Sequence, residues 1–203
     1  MQMTDGLGDC RGHRCLRGGL NERQSPTTAR SATDLDGWNF RSHKMQTETF
    51  GLELQRNLDA ASRMVRDVVT RLTPEQWTSA QGGLRSPARI TWHLVEALDF
   101  YFRENEADYV WGSRFGAPQW KTADADLPSQ DTILSWLDEI VLRAGNMLRQ
   151  LTNDDLREQN QKKYRHGENR LGHYVYALRH TMHHMGQLSA IAVAHGHRNL
   201  LWA

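Results

Sequence analysis

Four stretches of about twenty residues, none with an internal proline, carry apolar side chains at three- and four-residue steps, the spacing of one face of an α-helix. In residues 47–72 the stripe is Leu54, Leu58, Ala61, Val65, Val68, Val69 and Leu72. In 87–106 it runs through Ile90, Leu94, Ala97, Leu98, Tyr101 and Phe102, with Glu96, Asp99 and Arg103 on the polar arc. Residues 130–151 contribute Ile133, Leu137, Ile140, Ala144 and Leu148, and residues 170–195 contribute Tyr174, Leu178, Met185, Leu188 and Ala192. Nowhere does the chain alternate apolar and polar residues as a half-buried strand would. The pattern predicts an all-α fold, a four-helix bundle.

The ends of these stretches are marked. Thr73-Pro74 and Ser86-Pro87 read as N-caps with proline in the first helical position, Ser129 opens the third helix, and Gly196 closes the fourth. Between the second and third helices lies a long crossover, 108–128, with Gly112, Gly116, Pro118 and Pro128 among Trp111, Phe115 and Trp120. A connection of that length either covers a site or packs its own aromatic residues.

Residues 1–44 differ from the rest. They hold six glycines, mixed charges and few aliphatic side chains. Such a segment cannot bury enough apolar surface to offset its ordering entropy. It is expected to be a disordered extension, or the product of a start assigned ahead of Met45. A peptide from 1–44 in the native protein would refute the second reading. The domain proper is expected at 45–203. Cys10 and Cys15, the only cysteines, flank His13, but the spacing fits no usual zinc finger.

Net charge near +1 makes no electrostatic case for nucleic acid or for an anionic membrane as partner. Mean hydropathy is −0.70, no apolar run is long enough to span a bilayer, and the N-terminus has no apolar signal core. The expectation is a cytoplasmic protein acting on a small molecule.

Half of the ten histidines fall between Gly172 and Gly196: His173, His180, His183, His184 and His195. On a helix, His173, His180 and His184 share a sector of roughly 40°, and His180 and His184 stand one turn apart, about 6 Å along the axis. Both lie at the edge of the apolar arc. His93 points inward with the apolar residues of its own helix. Imidazoles in a bundle interior must find partners, either hydrogen bonds within the core or a shared metal ion. The metal reading takes His93, His180 and His184 as ligands, leaving positions open for water or substrate. His183, about 60° away, could substitute for one of the pair or face a partner subunit. His173, two turns below His180, is expected in the outer layer of the site or facing substrate. His166, His195 and His197 are expected to be structural. Glu96, one turn from His93, is the candidate for orienting a ligand ring or shuttling a proton; Asp99 is expected to face further outward.

The run Arg179-His180-Thr181-Met182-His183-His184-Met185-Gly186-Gln187-Leu188 resembles the last-helix motif of the DinB/YfiT-like family of metalloenzymes: His, three residues, His, a variable residue, Gly-Gln and an aliphatic. Ile90-Thr91-Trp92-His93-Leu94-Val95-Glu96 is similar to the second-helix segment that supplies the family's remaining histidine. The likeness spans roughly 47–196, with Met185 where many members carry arginine. It implies a four-helix bundle, often a homodimer, with a divalent metal (zinc, nickel or iron) on three histidines. It also implies a thiol-dependent S-transferase acting on small electrophiles, with a low-molecular-weight thiol as cosubstrate. A metal-dependent hydrolase or isomerase, and a non-catalytic dimeric metal-binding stress protein, are the other readings.

Overall fold

The computed structural model describes residues 49–104, 106–160, 164 and 166–203. The 1–44 segment, with Cys10, His13 and Cys15, lies outside the described residues. Within them every regular element is helical: α1 (Phe50–Arg71), α2 (Pro74–Thr78), α3 (Pro87–Tyr101), α4 (Gln130–Gln150), α5 (Asn153–Leu156) and α6 (Arg170–Ala194). α1, α3, α4 and α6 are the four long helices read from the sequence.

Local chemistry sets their ends. The Thr49 hydroxyl accepts from the Leu52 amide at the start of α1, and Ser129 from Thr132 at the start of α4. Thr73 and Gln76 form a reciprocal capping box around the first turn of α2, as Thr152 and Asp155 do for α5. Gly196, at φ +89°, closes α6 in the left-handed conformation. Two ends depart from expectation. The Ser86 hydroxyl makes no capping bond to α3. α3 also stops at Tyr101, short of 106, where the chain turns and Phe102 stacks on Tyr174 of α6 at 5.0 Å between ring centres.

α1 packs against α4 and α6, and α3 packs against the same two helices, so α1 faces α3 across the diagonal. Hydrogen bonds between helix ends give the directions. Gln130 at the head of α4 donates to the carbonyls of Val69 and Leu72 at the tail of α1, so these two run antiparallel. Arg71 at the tail of α1 donates to Arg198 and Asn199, just past α6, so α1 and α6 run parallel. His173 at the head of α6 meets the Tyr101 carbonyl at the tail of α3, so those two oppose. The order is up, down, down, up. Neighbouring α3 and α4 are therefore parallel, and the chain between them must travel back the length of a helix, which is why the crossover is long.

Leu58, Val65, Leu94, Leu98, Ile133, Leu137, Ile140, Leu148 and Leu188 fill the interior. Where α1 packs on α4, Gly51 faces the Leu148 carbonyl; a Cβ there would come within 2.3 Å of the oxygen.

Candidate metal centre

α3 and α6 lie side by side, and this contact brings His93 against the His180–His184 pair. The three offer one ligand nitrogen each, all within 4.8 Å of one another. The His93 ring centre is 5.1 Å from that of His180 and 4.8 Å from that of His184. On α6 the two Nε2 atoms face each other at 3.2 Å.

That separation limits the chemistry to two cases. Two ring nitrogens so close share either a proton or a cation. A tetrahedral ion with M–N near 2.0–2.1 Å sets its ligand nitrogens about 3.3–3.4 Å apart. The His184 Nδ1–H donates to Gln187 Oε1 at 2.8 Å, which leaves Nε2 as the lone-pair nitrogen turned toward the cluster. Burial, followed by the nearby His184 and Arg85, holds His93 down to about 4. Burial, followed by its histidine neighbours, holds His180 down to about 3. His184 is also lowered, again by burial, with Gln187 opposing. All three rings are neutral at pH 7, the protonation state that binds metal. The three imidazoles, the His184 tautomer and the His180–His184 spacing fit a divalent cation.

These shifts carry a pH prediction. A histidine whose folded pKa lies below its unfolded value binds fewer protons when folded, so acid favours the unfolded chain. Its contribution to stability is complete above about pH 6.5 and is lost as pH falls toward the folded values near 4 and 3. Each ring adds at most about 1.4 kcal/mol per pH unit, less where solvent screens it. The metal-free protein is expected to lose stability from pH 6.5 to 4, read by urea denaturation. The H93A/H180A double variant should show a shallower dependence; an unchanged slope would refute this origin.

The remaining histidines are placed elsewhere. His173 shares the sector but is buried two turns away, donating through Nε2 to the Tyr101 carbonyl at 3.2 Å and pairing with Glu106 Oε1 at 3.1 Å. It ties α6 to the tail of α3 and does not border the cluster. His183 is exposed, its Nε2 at 3.4 Å from the Gln187 amide nitrogen. His166 stacks on Tyr176 at 4.1 Å, His195 contacts Gln81, and His197 contacts Gln76.

Glu96 and Asp99 are not on a wet face. They are 1% and 4% exposed, because the crossover folds back over that side of α3. Glu96 Oε1 accepts from the Gly112 amide, and Tyr109 donates to the Glu96 carbonyl. Glu96 Oε2 and the Trp92 indole nitrogen make no hydrogen bond among the described residues. Burial raises the Glu96 carboxyl above its ordinary pKa, with the Gly112 amide opposing. Asp99 accepts from Arg103 and from Arg143 of α4.

The crossover also brings Trp111 beside His93, ring centres 6.4 Å apart. Phe100 and Tyr109 pack on Trp111, whereas Phe115 packs on Trp92 and Trp136 and Trp120 is exposed. Part of the crossover thus borders the cluster and part packs its own aromatics. Gln187 was the role missed from sequence; its signal is the three-residue step from His184, which puts both on one helix face.

Residues 57–188 match the sequence profile of the DinB superfamily. The chain belongs to the DinB superfamily. No curated protein matches it. A solved structure, described as the conserved protein of locus from Enterococcus faecalis, shares the fold with a TM-score of 0.57. It is 17% identical, with 71% of this chain and 95% of that one covered, and at that identity the likeness speaks for the fold alone. The three-histidine cluster of this DinB chain lies within the matched region. No described helix is long and apolar enough to cross a membrane.

Proposed function

We propose that His93, His180 and His184 hold a divalent metal ion, and that the protein is a thiol-dependent S-transferase acting on small electrophiles. The observation that carries this is the facing of the two Nε2 atoms at 3.2 Å, with the His93 nitrogen in the same small volume. A bound divalent cation supplies Lewis-acid chemistry, lowering the pKa of a thiol or water that reaches it. Three protein ligands leave a coordination position for such a molecule.

The chain's own residues have separate tasks. Gln187 holds His184 in one tautomer. Trp111, Phe100 and Tyr101 give the neighbourhood of the rings an aromatic, water-excluding wall. Glu96 is the candidate proton carrier: burial under the crossover raises its carboxyl above the ordinary carboxylate value.

The test is elemental analysis of the protein as isolated, then consumption of a reactive electrophile with and without a panel of cellular thiols. The expected result is stoichiometric metal and a rate that requires one thiol. Equal rates with and without thiol would favour hydrolysis. Bound metal with no turnover would leave the non-catalytic reading.

A further inference from the structure

A cavity of about 310 Å³ opens at the head of α3, lined by Arg85, Ser86, Arg89, Thr78 and Asp124 among others. Its charges do not cancel. Arg89 is committed: its guanidinium donates to Asp124 and to the carbonyls of Gln119 and Thr122. Asp124 is thereby neutralised. Arg85 has no carboxylate within ion-pair distance among the described residues. Among the described residues its side chain bonds to Oε1 of buried Gln119 at 3.3 Å, a neutral acceptor that orients the guanidinium without compensating it.

The helix end adds to this. Ser86 occupies the N-cap of the fifteen-residue α3 but makes no capping bond, and Pro87 brings no N–H. Ser86 is 3% exposed, lines the cavity, and its hydroxyl has no partner among the described residues. The first backbone bond of the helix runs from the Ile90 amide to the Ser86 carbonyl, so the amides of Ala88 and Arg89 precede the ladder. An uncompensated guanidinium, an unused hydroxyl and an uncapped helix N-terminus all favour negative charge.

We propose that this cavity is an anion-binding subsite, taking a carboxylate or phosphate group, with Arg85 as its principal contact. Arg89 lies four residues before His93 and on the same face of α3, so the cavity and the histidine cluster share that face. His93 is seven positions after Ser86, about 10 Å along the axis. Arg85 is near enough to act electrostatically on His93. The subsite would then hold the anionic group of a substrate or thiol on the same face of α3 as the histidines; this use of the cavity rests on the metal-centre reading, whereas anion binding itself does not.

The experiment titrates the full-length chain, with and without divalent metal, with inorganic phosphate and separately with acetate, against chloride at matched ionic strength. Wild type should bind one of the two saturably. R85Q should bind it about tenfold or more weakly, with an unchanged melting curve in chloride. S86A, which keeps Arg85, should weaken binding less. H184A should bind as wild type does, so failure of the metal reading leaves this result standing. Binding unaltered in R85Q, binding lost in H184A, or no binding of either anion beyond chloride would each overturn the proposal. The stronger of phosphate and acetate identifies the anionic group.

Discussion

Replacing His184 with alanine is expected to reduce divalent-metal affinity by more than about a hundredfold, with the helical circular dichroism unchanged. Loss of an outer partner alone costs about ten- to a hundredfold, and a ligand contributes more than its support. Q187A, which removes the acceptor for the His184 Nδ1–H, should fall within that lower range. H180A should also abolish stoichiometric uptake. The fold should survive both changes, because the bundle is held by its apolar interior and His180 Nδ1 is a buried polar atom with no partner among the described residues. Isothermal titration with zinc and with nickel reads the affinities, and far-ultraviolet dichroism reads the helices. Wild-type affinity in H184A would remove the three-histidine centre. Collapse of the helices would show that the ion, where present, holds the fold together.

G112A is expected to destabilise the protein by about 3–5 kcal/mol, and G116A by only about 1 kcal/mol. Both glycines have nearly the same left-handed backbone, φ +81° and +80°, so the conformational strain of an added Cβ is common to the two. Their surroundings differ. A Cβ on Gly112 would meet Pro118 N, Ala117 C and Pro118 Cα at 2.2, 2.3 and 2.4 Å, all backbone atoms that no rotamer change moves aside. Around Gly116 there is nothing within 4 Å. Gly112 also gives its amide to the buried Glu96 carboxylate, and shifting the loop would strand that group. Urea denaturation measures the two losses, and tryptophan fluorescence should report movement of Trp111 in G112A. Equal destabilisation of the two variants would sink the steric account.

The helices were legible in the sequence because helix formation is written in neighbours. A side chain at i meets those at i+3 and i+4, so the stripes of Leu54–Leu72 and Ile133–Leu148 and the caps at Thr73 and Ser129 act within one turn. The His180–His184 pair is of the same kind. The conjunction of that pair with His93 is not local, and the resemblance to a known motif supplied it. Periodicity put His173 in the sector of His180 and His184 but could not name its partners, Tyr101 and Glu106, which come from the tail of α3 and the chain just past it.

Residue order alone thus determined four helices and which histidines share a face, since those depend on contacts a turn apart, whereas the early end of α3 at Tyr101 was set by packing. Tertiary structure decided what covers each face. Glu96 and Asp99 read as wet on a helical wheel, and are buried because the crossover returns along α3 and places Gly112 and Tyr109 against them. A wheel counts one helix's own side chains. Burial is set by whatever the rest of the chain lays on top.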